Sequence, residues 1–430
     1  MIIRPARSIN GVVTIPGDKS ISHRAAIIAS MADGESRIDN YSTGADCAST
    51  VRCMRDLGVE IEHVNMTLTV KGVGKTGFKK PGKPLDCGNS GTTMRLLAGL
   101  LASQNFESVI TGDDSLRRRP MNRIIEPLRL MGAEIDSENG KAPLKIRGRN
   151  PLNAVRYTLP VASAQVKSCV LLGGLNAEGK TIVTENVETR DHTERMLRAF
   201  GGDVMAAESK HSRIISISGD SKLSAREISV PSDISGAIFF IVAAACLEGS
   251  LLKLPKVGTN PTRTAVIDVL RDIGVTIDES DTGESCGEPA ATLKVRGGGH
   301  PQNARKLHGK KIAGLIDEMP ILAVLGTQMD GGIAVRDASE LRLKESDRIT
   351  AIVENLRRMG AEVEEFDDGF SVGRSHLAGA EIDSFGDHRI AMAFAVAGLF
   401  AKGNTTIRQA ECADISFPGF YELLESVVQR

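Results

Sequence analysis

Tryptophan is absent from this chain of 430 residues, and 12 Phe and 3 Tyr bring the aromatic content to only 3%. Surfaces that bind single-stranded nucleic acid stack the bases on closely spaced aromatic side chains, which this composition does not supply. Charge of one sign is not in excess either, since 53 Lys and Arg face 54 Asp and Glu. The chain therefore has no general attraction to nucleic acid or to an anionic membrane, and we expect neither as a partner.

Long hydrophobic runs are also missing. The longest covers residues 237–247, whereas a helix needs about 20 apolar residues to cross a bilayer, so this run predicts a buried helix. The first residues lack the apolar stretch of a secretory signal, and we expect a cytoplasmic protein. The seven cysteines include no C-x-x-C pair, and the chain has no H-E-x-x-H motif. We therefore expect reduced thiols and no metal site.

What the chain does contain is an internal repeat. A phrase of the form Leu/Met-Arg-x-x-Gly-x-x-Ile/Val recurs, with a looser third copy, around Gly58, Gly132, Gly201, Gly274 and Gly360. Interleaved with it, an Ala/Leu-rich helix pattern that stops at a glycine and leads into a β-branched strand occurs six times. The distance between successive copies of either phrase is too long for the repeats of a solenoid protein, so six copies predict two domains of three units each. The boundary between these domains is expected near residue 230.

Polar segments stand directly before several of the apolar helices, and they carry the candidate functional residues. The first reads PGDKSISHR and places Lys19, Ser20 and Arg24 at a helix start. Backbone amides and the helix dipole favour an anion there, and cations in a first turn oppose the dipole unless an anion joins them. This segment therefore indicates an anion site, with an ordinary capped helix as the alternative.

Three further segments in the first half have the same placement. The loop before the second apolar helix reads DCGNSGTTMR and contains Gly91, but Walker A spacing is missing, so ATP is not supported. A plain turn with a helix cap explains this loop about as well. Arg119 ends a run of three arginines, whose planar forks suit carboxylate or phosphate. Ser163, Ala164 and Gln165 open a fourth segment, which by itself is a weak signal.

The second half contributes carboxylates as well as cations. The segments LIDEMP, LKESDRI and FGDHR contain Asp317, Lys344, Glu345, Arg348 and Arg389. For LKESDRI the alternative is an exposed helix face, because Lys344 and Arg348 are four residues apart and share one face of a helix. If the helix starts of the two domains face each other, they form a local cationic cleft that suits a small polyanion, with carboxylates able to transfer protons.

Seven ordered segments together resemble the 5-enolpyruvylshikimate-3-phosphate synthase family over essentially the whole chain. They are PGDKSISHRA, LDCGNSGTTMRLLAG, RRRPM, SAQVKS, IDEMP, LRLKESDRI and GDHRIAMA. The resemblance implies an α/β (α+β) fold, the two-domain inside-out α/β barrel in which each domain has three βαβαββ repeats. The first domain would then span residues 17–230, and the second would span residues 1–16 and 231–430.

The resemblance also implies a reaction, in which the enolpyruvyl group of phosphoenolpyruvate is transferred to the 5-hydroxyl of shikimate-3-phosphate and phosphate is released. The partners it implies are these two small-molecule substrates, without a metal or an organic cofactor, and we expect a monomer.

The family's binding positions transfer to this sequence by motif. The positions that match shikimate-3-phosphate contacts are Lys19, Ser20, Arg24, Ser163, Ala164, Gln165 and Arg190, with Asp317 and Lys344 at the ring hydroxyls. Those that match phosphoenolpyruvate contacts are Lys19, Gly91, Arg119, Gln165, Arg348 and Arg389. Asp317 is the candidate base for the 5-hydroxyl, and either Glu345 or Lys19 is the candidate acid for the methylene carbon.

Two departures from the common family pattern place the chain nearer the divergent subgroup called class II. The second loop reads Arg95-Leu96-Leu97 where many members have Arg-Pro-Leu, and Ser416 precedes the final Phe-Pro where many have Lys. The sister enolpyruvyl transferase that acts on UDP-N-acetylglucosamine is the nearest rival, but its usual cysteine is missing from residues 112–120. A non-catalytic anion-binding protein is the other alternative, and Asp317 and Glu345 argue against it.

Overall fold

Two lobes make up the chain in the computed structural model, which describes residues 1–210, 212–298, 301 and 304–430. The first lobe comprises Gly17–Val230 and the short segment Glu284–Glu288. The second lobe comprises Met1–Pro16, Pro231–Gly283 and Pro289–Arg430. Each lobe has its own hydrophobic core. None of the helices in the described part of the chain is both long and apolar enough to cross a membrane.

The helices are numbered along the chain. Those of the first lobe are α1 (Lys19–Met31), α2 (Ala45–Asp56), α3 (Gly91–Ala102), α4 (Asp114–Arg118), α5 (Asn122–Leu130), α6 (Ala164–Gly174) and α7 (His192–Ala199). Those of the second lobe are α8 (Ile234–Cys246), α9 (Ala265–Asp272), α10 (Lys311–Leu315), α11 (Met319–Gly326), α12 (Arg348–Arg358), α13 (His388–Phe400) and α14 (Phe420–Val427). Short 3-10 helices cover Ser339–Leu343 and Ala410–Ile415.

The strands are numbered in the same way. The chain begins with β1 (Ile2–Ile3) and β2 (Ser8–Val12). There follow β3 (Asp33–Asp39), β4 (Glu60–Val64), β5 (Thr67–Val73), β6 (Leu85–Asp86), β7 (Glu107–Thr111), β8 (Glu134–Glu138), β9 (Lys141–Arg147), β10 (Leu152–Asn153), β11 (Arg156–Thr158), β12 (Ala177–Glu178), β13 (Lys180–Glu185), β14 (Val204–Glu208), β15 (Arg213–Ser218) and β16 (Glu227–Ser229). The rest are β17 (Leu251–Gly258), β18 (Thr276–Ser285), β19 (Glu288–Arg296), β20 (Arg305–Leu307), β21 (Ile333–Val335), β22 (Val363–Phe366), β23 (Gly369–Val372), β24 (Glu381–Asp383), β25 (Thr405–Arg408) and β26 (Val428–Gln429).

One sheet topology recurs in both lobes. The first lobe has three four-stranded sheets, in the orders β16-β3-β5-β4, β6-β7-β9-β8 and β11-β13-β15-β14. In each, the first two strands are parallel and the following pairs are antiparallel. The second-lobe sheet β20-β21-β23-β22 has the same pattern. In the five-stranded sheet β18-β19-β17-β2-β26, β17 is parallel to β2 and antiparallel to β19, as the second strand of each other sheet is to its two neighbours. This recurrence is what the sequence repeat predicts.

In the described part of the chain, six apolar helices lie in the cores behind these sheets, three in each lobe. In the first lobe α3 packs against α1 and α6, and in the second lobe α13 packs against α8 and α11. Nearly every residue of these helices is buried, because their sequences are apolar on all sides. The amphipathic helices, such as α5 and α12, bury only one face.

The repeated Leu-Arg-x-x-Gly phrase has a direct structural cause. Its glycine follows the end of an amphipathic helix at a positive φ of 79° to 97°, which a glycine adopts without steric cost. In four of the copies its arginine donates to the backbone carbonyl six residues later, on the strand that follows, and so joins the helix end to the sheet. The four pairs are Arg55 with Ile61, Arg129 with Ile135, Arg198 with Val204, and Arg271 with Ile277.

Candidate active site

The start of α1 holds three residues that the sequence singles out, namely Lys19, Ser20 and Arg24. Asp18 caps the helix by accepting a hydrogen bond from the Ile21 amide at 2.9 Å. Lys19 Nζ lies 3.0 Å from Asp46 Oδ2, and the Asp46 carbonyl accepts from Thr93 on α3 at 3.4 Å. The cation at the start of α1 is thereby tied to α2 and α3 within the same lobe.

Arg24 is a buried cation one turn further along α1. Its Nη1 donates to the Ser20 carbonyl at 2.8 Å, its Nε to Thr193 Oγ1 on α7 at 2.7 Å, and its Nη2 to Ser168 Oγ on α6 at 2.8 Å. Burial lowers the pKa of the Arg24 guanidinium to about 10, against the opposing charge of Glu194, so it stays cationic at neutral pH. Arg24 therefore fixes the starts of α1, α6 and α7 relative to one another.

Gly91 opens α3 beside two arginines. A β-carbon at this position would lie 2.7 Å from Arg95 Nη1 and 3.3 Å from Arg119 Nη1, so the absence of a side chain leaves the space between the two guanidinium groups open. Arg119 is 8% exposed and donates to Asn89 Oδ1 at 2.8 Å. This loop therefore presents two guanidinium groups to one small space.

The start of α6 joins this group through Gln165. Its Oε1 accepts from Arg95 Nη1 at 2.6 Å, and its Nε2 donates to Thr92 Oγ1 at 2.9 Å. Ser163 caps α6 by accepting from the Val166 amide. Arg190 lies just before α7, and its positive charge acts on Arg24. The candidate residues of the first lobe thus lie at the starts of α1, α3, α6 and α7, except Arg119, which follows the end of α4.

In the second lobe the candidates gather around Asp317. Lys344 Nζ lies 3.3 Å and Arg348 Nη1 lies 3.4 Å from Asp317 Oδ1. Arg389 donates from Nη1 to the Asp317 carbonyl at 2.8 Å, with its Nη2 3.9 Å from Oδ2. Glu345 joins through Arg348, whose Nη2 lies 2.6 Å from its Oε2. All five candidate residues of this lobe therefore form one cluster.

Arg348 is the most deeply buried cation of this cluster, at 1% exposure. Its Nε donates to Asp387 Oδ2 at 2.8 Å, and Asp387 Oδ1 also caps α13 by accepting from the Arg389 amide at 2.9 Å. Burial by itself raises the pKa of the Asp387 carboxyl, but the charge of Arg348, the charge of His388 and the hydrogen bond from Arg348 together outweigh it, and the pKa lies below its usual value. The charges of Asp387, Glu345 and Asp317 raise the pKa of Arg348, although burial by itself lowers it.

Several residues of the two clusters were not assigned from the sequence. Asp387 and Arg95 stand inside quoted motifs, and an Asp directly before an apolar helix is a recognisable cap. Their second contacts, with Arg348 and with Gln165, join residues that are distant in sequence. Asp46 carries no sequence signal at all. Among the described residues, no group of three or more His, Cys, Asp or Glu is placed to hold a metal, and each of the seven cysteines is a free thiol.

The chemistry available in each cluster follows from its groups. In the first lobe, helix starts, hydroxyls and arginines offer many donors to an anion. In the second lobe, a carboxylate beside three cations offers oxygen atoms that can take a proton from a hydroxyl group. The first cluster therefore suits an anionic substrate, and the second cluster suits proton transfer.

Comparison with known proteins gives one consistent answer. The family model described as EPSP synthase (3-phosphoshikimate 1-carboxyvinyltransferase) matches residues 3–424. The 3-phosphoshikimate 1-carboxyvinyltransferase of Solibacter usitatus is 51% identical and covers 99% of both chains, and that of Koribacter versatilis is 49% identical over 100% of this chain and 99% of its own. An EPSP synthase structure from Acinetobacter baumannii superposes with a TM-score of 0.87 at 43% identity, covering 99% of this chain and 97% of that one. The fold class expected from the sequence is confirmed.

The buried pair of Arg348 and Asp387 makes stability depend on pH. Asp387→Asn should lower the free energy of unfolding by about 2 kcal/mol at pH 7, because a charged hydrogen bond is lost while the shape is kept. Since the folded-state pKa of Asp387 lies below its usual value, its contribution is complete above about pH 5 and declines as the pH falls below about 4. Urea denaturation of both proteins between pH 7 and pH 3.5 measures this, and a difference that grows in acid would contradict it.

Proposed function

The chain belongs to the EPSP synthase family, and from that membership we propose which of its residues carry the family's reaction. The protein transfers the enolpyruvyl group of phosphoenolpyruvate to the 5-hydroxyl of shikimate-3-phosphate and releases phosphate, in the shikimate pathway of aromatic amino-acid biosynthesis. The class II subgroup, a cytoplasmic location, a monomeric state and the lack of a nucleic-acid partner stay predictions of the sequence.

The first-lobe cluster is proposed to bind shikimate-3-phosphate. A phosphate dianion is best held by backbone amides at helix starts together with hydroxyls and arginines, which is the set gathered at α1, α6 and α7. Residues proposed to contact this substrate are Lys19, Ser20, Arg24, Ser163, Ala164, Gln165 and Arg190. The buried hydrogen bonds of Arg24 support this assignment, because they fix its guanidinium before any substrate arrives.

Phosphoenolpyruvate is proposed to use residues of both lobes. In the first lobe these are Lys19, Gln165, Gly91 and Arg119, where the space beside Gly91 faces two guanidinium groups. In the second lobe they are Arg348 and Arg389, two buried arginines. A substrate with one carboxylate and one phosphate needs several such donors, and the phosphate needs them most as it leaves. On this proposal, the lobes at residues 17–230 and at 1–16 with 231–430 act on the same pair of substrates.

The observation that carries the proposal is the environment of Asp317. Addition joins the 5-hydroxyl oxygen to C2 of phosphoenolpyruvate, while the hydroxyl proton goes to a base and C3 receives a proton from an acid. Elimination then breaks the bond between C2 and the phosphate oxygen, and C3 gives its proton back. Asp317 is proposed as the base, because it is the carboxylate around which Lys344 and Arg348 gather, at 3.3 Å and 3.4 Å from its Oδ1. Lys344 is also proposed to hold a ring hydroxyl.

For the proton at C3 we propose Glu345 rather than Lys19. Glu345 Oε2 lies 2.6 Å from Nη2 of Arg348, a proposed phosphoenolpyruvate ligand, whereas Lys19 is paired with Asp46. A carboxyl group beside that substrate is well placed both to give and to take the proton. Lys19 is then left to bind both substrates as a cation.

Removing the proposed base should separate turnover from binding. Asp317→Asn should lower kcat by about 10³-fold, within the range for a lost general base, while the dissociation constant of shikimate-3-phosphate changes little. Phosphate release and calorimetric titration measure the two quantities. Asp330→Asn is the matched control, because it removes an exposed carboxylate of the same lobe that pairs with Arg374, and it should leave kcat unchanged. Turnover near that of the control in Asp317→Asn would remove it as the base.

Isotope exchange distinguishes the two acids. In heavy water, the native enzyme should incorporate deuterium at C3 when the proton is given and taken back. Glu345→Gln should lower kcat about 10²-fold and should slow deuterium incorporation at C3 by the same factor, whereas Lys19→Met should raise both KM values and leave the rate of incorporation at saturating substrate unchanged. Mass spectrometry of recovered phosphoenolpyruvate and product measures this. A native rate of incorporation in Glu345→Gln together with a slowed rate in Lys19→Met would assign the proton to Lys19 instead.

A further inference from the structure

A fully buried lysine lies behind the first-lobe cluster, and neither the resemblance nor the reaction assigns it a role. We propose that Lys167 is a positioning residue, which holds the phosphate-binding residues of the first lobe in place and so sets the affinity for shikimate-3-phosphate without touching it. This inference rests on the proposed function, in which Arg24, Arg190 and the start of α6 bind that phosphate.

Lys167 has no exposed surface and three close oxygen partners. Its Nζ lies 2.8 Å from Glu194 Oε1, 3.1 Å from Glu185 Oε1 and 3.3 Å from the Thr189 carbonyl. Glu185 and Glu194 are equally buried, at 1% and 0% exposure. Charges removed from water persist only where their partners are fixed, so this ammonium determines where both carboxylates lie.

One arm of this network leads to Arg190. Glu185 ends β13, and its Oε2 accepts from the Thr189 amide at 3.2 Å and from Thr189 Oγ1 at 2.7 Å. Because Lys167 also binds the Thr189 carbonyl, residue 189 is held at its amide, its hydroxyl and its carbonyl. Arg190 is the next residue, so the path of the chain into Arg190 is set by Lys167 and Glu185.

The other arm leads to Arg24. Glu194 follows Thr193 on α7, and Thr193 Oγ1 lies 2.7 Å from Arg24 Nε and 2.6 Å from Ser168 Oγ. Lys167 and Glu194 therefore fix α6 against α7 at the point where both helices contact Arg24. Of the charged groups that act on Arg24, Glu194 has the largest effect on its pKa. One buried ammonium thus connects α6, the turn before Arg190 and the partner of Arg24.

A purely structural role predicts something different. If Lys167 only stabilised the fold, its loss would lower the melting temperature and leave the KM values of the folded enzyme unchanged. If it positions the phosphate site, its loss leaves two buried carboxylates without their cation, and the turn before Arg190 must shift to let them take up water or protons. Misplacing the groups that bind phosphate weakens one substrate selectively.

The test compares Lys167→Met with Lys75→Met in the full-length enzyme. Lys75 is the matched control, since it is a partly buried lysine of the same lobe that donates to the carbonyls of Leu175 and Gly219, at the opposite end of α6. Both variants should melt earlier. Only Lys167→Met should raise the KM for shikimate-3-phosphate, by about tenfold, with the KM for phosphoenolpyruvate within about twofold of the native value. A shikimate-3-phosphate KM within twofold of the native enzyme, or equal rises for both substrates, would overturn the proposal.

Should Lys167→Met fail to fold, Glu185→Gln tests the same arm with a smaller change. It keeps the shape of the side chain, but its amide nitrogen is not able to accept a hydrogen bond, so one of the bonds to Lys167 or Thr189 is lost. The KM for shikimate-3-phosphate should rise by about threefold, with the KM for phosphoenolpyruvate unchanged. An unchanged KM for both substrates in this soluble variant overturns the positioning role.

Arg190→Ala separates this inference from the proposed function. If Arg190 binds the phosphate, Arg190→Ala raises the KM for shikimate-3-phosphate whatever the role of Lys167. A rise in Arg190→Ala without one in Lys167→Met means that the phosphate site is right and the positioning role is wrong. A native KM in Arg190→Ala overturns the phosphate assignment of Arg190, and the inference built on it is overturned with it.

Discussion

A cation buried in a protein needs carboxylate partners that cannot move away, and in this chain that requirement fixes the geometry of the candidate site. Arg348 is held by Asp317, Glu345 and Asp387, and Lys167 is held by Glu185 and Glu194. The carboxylates cancel much of the desolvation cost and at the same time orient the donors. Groups oriented in this way need little reorganisation when charge develops in a reaction, which is the property that a site for anionic substrates requires.

The repeat supplies the positions at which such groups meet. Each unit places one apolar helix behind its sheet, and most of these helices begin at a polar cap: Asp18 for α1, Ser90 for α3, Ser163 for α6, Asp233 for α8 and Asp387 for α13. Within a lobe the helix starts lie near one another because the helices pack side by side. The apolar parts of the units stay alike because they have the same packing task, while the starts differ because they carry the chemistry.

Local sequence was enough to find the repeat, the helix starts and most of the residues in the two clusters. Lys19, Arg24 and Arg389 were recognisable because they stand in polar segments before apolar helices, and for Lys19 a cation in the first helical turn is unfavourable unless an anion joins it. The network of Lys167 was not recognisable, although Lys167 stands inside the quoted segment SAQVKS. Its partner Glu185 is 18 residues away on a strand, and only packing brings the two together. The same holds for Asp46 beside Lys19, whose contact depends on how α2 packs against α1.

We propose that residues from both lobes act on the same two anionic substrates. Diffraction from crystals grown with shikimate-3-phosphate and an unreactive analogue of phosphoenolpyruvate tests this proposal directly. We expect the 3-phosphate within hydrogen-bond distance of Ser163, Gln165 and Arg190, and the analogue in contact with Arg119 together with Arg348 or Arg389. Density for the two molecules at sites that involve only one lobe, or away from these side chains, would contradict it.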